Sequence, residues 1–424
     1  MNFLKKIMQT HLFKITSLNS LSVVLKLGIG LITSKVIAIF IGPSGLALVG
    51  NFRNFVGSFE TIATLGFQNG IVKYIAEVKE KETELKKYVS TVFISVSIIS
   101  IVLSCFLFFL SDYWNEVIFG ASYAYNFVFK AFAFALPWYS VSIILVSILN
   151  GLGRFKNVIY ITIIGNCIGL LVSVLFIYQY QTIGALLAII CTPALLFLVS
   201  FYYINTAFPI LHFIRFHFFD FSIIKNLSHY FLMALVSGIA GSLVFLSIRK
   251  NLIAGIGIQE AGYWEAITRI SSYYLLFISS ILTLYFLPKL AVANTNQDTK
   301  KVFWSYYKTI FPFVVIGLLI VYCSRFLIVK ILFTPAFLPV TTLFFWQLVG
   351  DLLKMASWIL GYQFFAKKLT TAFIITELFS LSITYFSSIF LIKTIGIQGV
   401  VMAHALTYFV YLLVLSIYFR KSLF

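Results

Sequence analysis

Acidic residues are scarce in this sequence. Its 424 residues include 13 Asp and Glu but 31 Lys and Arg, so the formal net charge is +18. Charged residues of both signs make up only 10% of the chain, whereas 61% of its residues are hydrophobic and its mean hydropathy is +1.01. This composition is typical of an integral membrane protein, and the basic excess then reflects membrane loops rather than a nucleic-acid surface.

Cysteine pairs and catalytic motifs are also missing. The four cysteines fall in apolar stretches without a C-x-x-C pair, so we expect neither a disulfide framework nor a zinc site. The sequence contains no H-E-x-x-H, no G-x-S-x-G and no P-loop. We therefore expect a protein that is not an enzyme, that uses no cofactor or metal, and that does not itself hydrolyse ATP.

Long apolar runs are abundant. At about 20 residues for each crossing, they predict an all-α integral membrane protein with twelve transmembrane helices. The predicted spans are residues 15–40, 45–67, 86–110, 122–149, 158–178, 184–206, 227–254, 262–287, 304–324, 340–365, 371–392 and 398–419.

A weak internal repeat divides these spans into two sets of six. Lys35 and Lys250 are as far apart along the sequence as Gly184 and Gly399. This separation, which we call the half-chain offset, is close to half the length of the chain. We expect an N-terminal six-helix bundle (1–206), an aromatic interfacial connector (207–226) and a C-terminal six-helix bundle (227–424). Because six is even, both halves would enter the membrane in the same direction, as a parallel pseudo-two-fold repeat.

The basic residues predict the orientation of the chain. Twenty Lys and Arg lie at one set of helix ends, and the opposite ends hold three, namely Arg325, Lys330 and Lys393. By the positive-inside rule, both termini are then cytoplasmic.

Eight further basic residues fall inside the predicted spans, where a charge facing lipid costs about 2.5–3.5 kcal/mol. They are Lys26, Lys35, Arg53, Lys130, Arg249, Lys250, Arg269 and Lys354. Such residues line an aqueous cavity, pair with acids, or snorkel from helix ends, as Lys35, Arg249 and Lys250 are placed to do. A cationic cavity would favour an anionic cargo.

The acidic residues inside the spans allow two interpretations. Glu265 and Arg269 are spaced i,i+4, and Asp351 and Lys354 are spaced i,i+3, so each set is placed to pair along one helix. Glu60 has no basic residue one turn away. These three carboxylates are equally candidates for coupling transport to an ion gradient, and the sequence leaves both interpretations open.

Several segments resemble the Wzx polysaccharide flippases of the multidrug/oligosaccharidyl-lipid/polysaccharide exporter (MOP) superfamily, and within them the lipid III flippases. These segments are Lys26 with GIGLITSKVIAIFIGPSGLAL (28–48), NFRNF (51–55), NGIVKYIAE (69–77), IRKNL (248–252), GYWEAITRIS (262–271) and FWQLVGDLLK (345–354). The resemblance runs nearly end to end, and GPSGLAL and WQLVGDLLK are its most specific blocks. The chain departs from the pattern at Glu265, where relatives have glutamine, so the neutralisation of Arg269 stays open.

The resemblance implies two six-helix bundles around a V-shaped central cavity. It implies a flippase that moves an undecaprenyl-pyrophosphate-linked oligosaccharide, an O-antigen or common-antigen repeat unit, from the cytoplasmic to the periplasmic leaflet of the bacterial inner membrane by alternating access. Membrane lipids and a polysaccharide polymerase complex are the partners it suggests. Carried over to this chain, the substrate-binding cavity cations are Lys26, Arg53, Arg249, Lys250 and Arg269, and the family's charged pair is Asp351 with Lys354.

Two other functions on the same fold remain open. A MATE-like ion-coupled exporter of cationic small molecules would need an acidic cavity, and the eight intramembrane cations argue against one. A peptidoglycan-precursor flippase carries a similar pyrophosphate, so the sequence separates it less well. A membrane-embedded glycan polymerase would be expected to have a large periplasmic loop, whereas the periplasmic loops predicted here are short.

Overall fold

The structure, a computed structural model, describes residues 11–423, with the side chains of residues 11–20, 229, 230 and 284 left aside. Within this range it contains α-, 3₁₀- and π-helices and no strand, which confirms the all-α prediction for the described chain. The first ten residues of the expected N-terminal bundle and Phe424 lie outside the described range.

Nineteen α-helices are described. The first nine are α1 (His11–Phe40), α2 (Gly42–Ala63), α3 (Gln68–Val78), α4 (Glu82–Phe109), α5 (Ser111–Phe119), α6 (Asn126–Gly151), α7 (Phe155–Ala207), α8 (Ile210–Phe213) and α9 (Phe221–Ala234). The others are α10 (Gly241–Gly255), α11 (Ile258–Ile281), α12 (Leu287–Val292), α13 (Asn296–Thr309), α14 (Phe311–Cys323), α15 (Arg325–Leu332), α16 (Phe344–Ala366), α17 (Thr370–Ile395), α18 (Gln398–Tyr418) and α19 (Arg420–Leu423). Short 3₁₀-helices (Phe216–Phe218 and Pro335–Leu343) and π-helical segments (Leu235–Ala240 and Leu282–Phe286) join or extend them.

Nine helices in the described range are long and apolar enough to cross a membrane. Two of the expected spans, 45–67 and 262–287, correspond to α2 and α11, which do not qualify. These helices have 22 and 24 residues, enough to cross about 30 Å at about 1.5 Å per residue, but they carry much of the buried charge. The structure therefore shows an integral membrane protein, and the number of crossings stays a prediction.

Helix α7 accounts for the remaining difference in number, because it contains two expected spans. Its 53 residues are interrupted at Gln181, whose φ and ψ of 49° and −121° are not helical. Gly165 lies against Leu196, and Gly169 lies against Thr192. These contacts pair residues symmetrically about the interruption, so α7 is an antiparallel hairpin of two helices. The G-x-x-x-G spacing at 165 and 169 permits their close packing.

Local backbone geometry recurs at the half-chain offset. Among the described residues with positive φ, three pairs have the same separation as Lys35 and Lys250. The pairs are Gly42 with Gly257, Gly153 with Lys368, and Gln181 with Gly396. In addition, Gly184 packs on the backbone of Phe176 and Gly399 on that of Leu391, and both members of this contact are shifted by the same offset. The turns between helices therefore repeat along the chain.

The described chain packs as two compact units. The first unit combines the chain up to Val36 with Phe55–Ile239, and its core is formed by α3, α4, α6, α7 and α9 around residues such as Ile71, Val89 and Ile148. The second unit combines Ile37–Asn54 with the chain from Ala240 onwards. Its core includes a fully buried aromatic cluster in which Phe286 packs edge-on against Tyr306.

Candidate functional site

Three arginines surround the Glu265 carboxylate in the second unit. Arg249 Nη2 lies 2.6 Å from Glu265 Oε2, while Arg53 Nη1 and Arg269 Nε lie 3.1 Å and 3.2 Å from Oε1. Arg249 also donates to Asn51 Oδ1 at 3.3 Å. We call Glu265 with these three arginines the arginine cluster. Hydrogen bonds between ionised groups are about twice as strong as neutral ones, which suits a buried position.

Three stretches of sequence bring the arginine cluster together. Arg53 is on α2, Arg249 is on α10, and Glu265 and Arg269 are one turn apart on α11. Gly50, one turn before Arg53, makes the approach of α2 possible, because a Cβ at this position would lie 2.4 Å from Glu265 Oε2. The guanidinium carbon of Arg249 lies 5.1 Å from the centroid of the Trp264 ring, which adds a cation–π contact.

The arginine cluster keeps positive charge after internal pairing. One carboxylate neutralises one of three guanidinium groups, which leaves a net charge of +2. The Arg249 and Arg269 side chains are almost fully buried, whereas the Arg53 side chain is 46% exposed. Arg53 is therefore the most exposed member of the cluster.

The fates of the predicted residues in this cluster differ. Glu265 and Arg269 form the ion pair that their i,i+4 spacing predicts. The expectation that Arg249 could snorkel is wrong, because its side chain is 3% exposed and is held by Glu265. Arg53 joins from 212 residues away, which its spacing within α2 did not reveal.

A second buried carboxylate, Asp351 on α16, is fully enclosed by hydrogen-bond donors. Ser271 Oγ donates to Oδ2 at 2.6 Å, Tyr274 OH donates to the same oxygen, and Gln347 Nε2 lies 3.3 Å from both oxygens. His404 Nε2 lies 3.0 Å from Oδ1, and because a carboxylate only accepts, the network places a proton on Nε2. A cavity of about 160 Å³ adjoins this network.

The expected i,i+3 pair between Asp351 and Lys354 is not formed. Asp351 contacts His404 instead, and Lys354 Nζ lies 5.1 Å and 5.6 Å from the ring centroids of Tyr408 and Trp358. Gly350 makes room for the histidine, since a Cβ there would lie 2.3 Å from the His404 ring. Four donors surround the carboxylate, so it does not need Lys354 as a hydrogen-bond partner.

Glu60 occupies a third and different setting, in the first unit. Its carboxylate accepts hydrogen bonds from Tyr139 OH on α6 and, at 3.4 Å, from Gln68 Nε2 on α3. No basic residue in the described part of the chain lies within 4.0 Å of it. Sequence spacing did not reveal the tyrosine.

Lys26 and Lys250 are exposed on α1 and α10, and neither forms an ion pair within the described residues. Their predicted role as cavity cations therefore stays a prediction.

Sequence reasoning missed His404, Ser271, Tyr274 and Tyr139. A lone histidine inside an apolar helix was a usable signal for His404, because an imidazole in that setting needs a polar partner. The hydroxyl residues gave no comparable signal, since serine and tyrosine are common throughout these helices.

Comparison with known proteins gives one family model and two relatives that align over nearly the whole chain. The family model described as "Polysaccharide biosynthesis protein" matches residues 12–292. The Lipid III flippases of Escherichia coli (strain K12) and Shigella flexneri are each 27% identical to it over 391 residues, which covers 92% of this chain and 94% of each relative.

Solved structures with the same fold include a transporter of the MOP superfamily and a lipid II flippase. An inward-facing multidrug resistance MATE family transporter has a TM-score of 0.76 at 15% identity, covering 94% of this chain and 97% of the transporter. The lipid II flippase MurJ in an inward closed conformation has a TM-score of 0.72 at 14% identity, covering 96% of this chain and 87% of MurJ. Identities this low show the fold alone.

Proposed function

The chain belongs to the polysaccharide biosynthesis protein family, and we propose that it is a flippase for undecaprenyl-pyrophosphate-linked oligosaccharide. The resemblance to lipid III flippases read from its sequence is confirmed by relatives that align over almost the whole chain. A transporter rather than an enzyme is the role that these relatives support. The cargo would be an O-antigen or common-antigen repeat unit carried from the cytoplasmic to the periplasmic leaflet.

The observation that carries this proposal is the net positive charge of the arginine cluster. A pyrophosphate is recognised best by guanidinium groups, whose planar donors match its oxygens in pairs. Arg53 offers such a group, and Arg249 and Arg269 add charge behind it while Glu265 holds all three in place. The cargo's sugars require a polar path, and its polyprenyl chain can remain in lipid.

The proposal includes the arrangement in the membrane. Twelve spans in two six-helix bundles, related by a parallel repeat, would follow if α2 and α11 cross the membrane and each arm of the α7 hairpin crosses separately. The turns that recur at the half-chain offset support this arrangement. With both termini in the cytoplasm of the bacterial inner membrane, as the basic residues favour, the cargo would be loaded at the face where it is assembled.

Reconstitution tests the proposal. Lipid-linked oligosaccharide from the organism that carries this chain is incorporated into liposomes, and a membrane-impermeant glycosidase is added outside. Without the chain, the glycosidase should digest the outer-leaflet oligosaccharide alone. With the chain, the inner-leaflet oligosaccharide should become digestible as well.

The Arg53→Gln variant should slow digestion of the inner-leaflet oligosaccharide about tenfold or more, because a hydrogen bond to a charged group contributes about 1.5–3 kcal/mol. Arg420→Gln, the same change at an exposed position of α19, is the matched control and should leave the rate unchanged. If the folded Arg53→Gln protein exposes the inner-leaflet oligosaccharide at the wild-type rate, the arginine cluster does not recognise the cargo. No digestion of the inner pool by the wild-type chain would contradict the flippase proposal.

A further inference from the structure

The first unit contains a cavity of about 430 Å³ that the arginine cluster does not use. Its wall is formed by α3, α6 and both arms of the α7 hairpin. Ligand pockets usually measure about 300–1,000 Å³, so this space is large enough for a small molecule or one part of a larger one. We call it the first-unit cavity.

The chemistry of the first-unit cavity is polar but uncharged. More than half of the lining residues carry an amide or hydroxyl group, and none carries a charge. An anionic group would find no cation in this wall. A cationic group would find no carboxylate, since Glu60 lies behind Tyr139 and Gln68, which already donate to it. A hydrocarbon chain would bury many polar groups without partners.

Some of these polar groups already have partners and some do not. Thr162 donates its hydroxyl hydrogen to Val158 O at 2.8 Å, and Ser142 pairs with Ser200 at 3.1 Å. By contrast, the buried atoms Asn166 Nδ2 and Thr192 Oγ1 find no hydrogen-bond partner among the described residues. Buried polar groups are nearly always hydrogen-bonded, and a ligand in the cavity would give these two groups a partner if their side chains turn toward it.

The position of the first-unit cavity fits cargo loading. Asn69 and Asn150 line it near the end of the helices that carries Lys73 and Arg154, the basic end that the charge distribution assigns to the cytoplasm. Ser142 lies about two turns before Asn150 on α6, so the cavity extends about 12 Å along that helix. A group entering from the cytoplasmic side would meet Asn69 and Asn150 first, and Asn166 and Thr192 deeper in the cavity.

We infer that the first-unit cavity binds an uncharged sugar residue of the cargo, with Asn166 and Thr192 donating to or accepting from its hydroxyl groups. Sugars present many hydroxyl groups and no charge, which matches a wall of amides and hydroxyls. This inference rests on the proposed flippase function, and it assigns recognition of the glycan to the first unit.

Two lipids that differ only in the sugar test this assignment. The purified chain in nanodiscs is titrated with lipid-linked oligosaccharide isolated from its own organism, and separately with undecaprenyl pyrophosphate that carries no sugar. The wild-type chain should bind the glycosylated lipid at least tenfold more tightly. Thr192→Val, which removes the hydroxyl at nearly constant volume, should reduce this preference about threefold to tenfold, the range expected for one hydrogen bond.

Matched variants separate a hydrogen bond from a change of shape. Thr162→Val makes the same change in the same wall, but its hydroxyl is committed to its own helix, so the preference should stay at the wild-type value. Asn166→Leu should reduce the preference as Thr192→Val does. Arg53→Gln should weaken both lipids by a similar factor. Thermal unfolding identifies any variant that does not fold, and the isosteric Thr192→Val carries the test if Asn166→Leu fails.

The outcomes distinguish the two proposals. If the wild-type chain binds both lipids equally, or if Thr192→Val keeps the full preference, the sugar site is wrong while the flippase proposal stands. If the wild-type chain binds neither lipid, the proposed function itself fails. If Thr192→Val weakens both lipids equally, the residue supports the fold and does not contact the sugar.

Discussion

The two units of this chain hold their buried carboxylates in different ways. In the first unit, Glu60 accepts hydrogen bonds from Tyr139 and Gln68, both uncharged at neutral pH. In the second unit, Glu265 lies among three arginines, and Asp351 is enclosed by four donor side chains. Yet the two halves of the chain share their turns, because positive-φ positions recur at the half-chain offset.

The repeat therefore fixes the backbone geometry of the turns and leaves the side chains around the buried carboxylates free to differ. Turns in a repeated fold must keep their φ and ψ angles for helices to pack in the same way. Side chains that project from those helices are under no such constraint. One unit can therefore concentrate positive charge while the other presents neutral amides and hydroxyls.

Removal of the Glu265 carboxylate should have the largest effect on this contrast. Glu265→Ala leaves Arg249 and Arg269 buried without their counter-charge, and loss of one partner of a buried ion pair costs about 3–5 kcal/mol. We expect a large fall in the midpoint of thermal unfolding, followed by intrinsic fluorescence in detergent. Glu82→Ala removes an exposed pair with Lys86 and should leave the midpoint nearly unchanged. Equal midpoints for the two variants would mean that the arginine cluster does not stabilise the second unit.

Gly50 tests the same cluster through its packing. In Gly50→Ala, the new Cβ would meet the Glu265 carboxylate, which three arginines hold in place, and overpacking of this kind costs about 1–3 kcal/mol. Gly57, two turns later on α2, has no atom within 4 Å of the corresponding position. Gly57→Ala should therefore be neutral or slightly stabilising. If the two variants lower the midpoint of thermal unfolding equally, or if neither lowers it, Gly50 is not what allows α2 to approach Glu265.

The two donor-enclosed carboxylates provide a direct comparison between units. Asp351→Ala removes a fully buried acceptor from four donors, whereas Glu60 is only partly buried and has two donors. We expect Asp351→Ala to cost about 1 kcal/mol more than Glu60→Ala in the free energy of unfolding. Chemical denaturation of the two variants measures the difference. A greater cost for Glu60→Ala would reverse the ranking that burial predicts.

The repeated turns should give the smallest effect. Gln181 has a positive φ, and the position one half-chain offset later is Gly396. Lys368 also has a positive φ, and the position one half-chain offset earlier is Gly153. Gln181→Gly and Lys368→Gly relieve this strain, although glycine also gains entropy when unfolded, so the net stabilisation should be a few tenths to about 1 kcal/mol. Gly396→Gln should instead lower the unfolding midpoint. Destabilisation by Gln181→Gly would break the structural equivalence of the two turns.

Sequence reasoning reached the fold and part of the site. The apolar runs and the half-chain offset predicted helices whose turns recur at that offset, because composition and periodicity act locally. The i,i+4 pair of Glu265 with Arg269 was readable for the same reason. Arg53 and His404 were not, since they meet their partners from 212 and 53 residues away. Spacing also suggested a pair between Asp351 and Lys354. The carboxylate instead accepts hydrogen bonds from side chains that other helices bring to it.

We propose that the arginine cluster recognises the pyrophosphate of the cargo. The most direct test is the binding preference of the chain for undecaprenyl pyrophosphate over undecaprenyl monophosphate, neither carrying sugar, in nanodiscs. The wild-type chain should prefer the pyrophosphate about tenfold or more, since each charge-assisted hydrogen bond contributes about 1.5–3 kcal/mol, and Arg53→Gln should lose most of that preference. A folded Arg53→Gln protein that keeps the full preference would contradict the account.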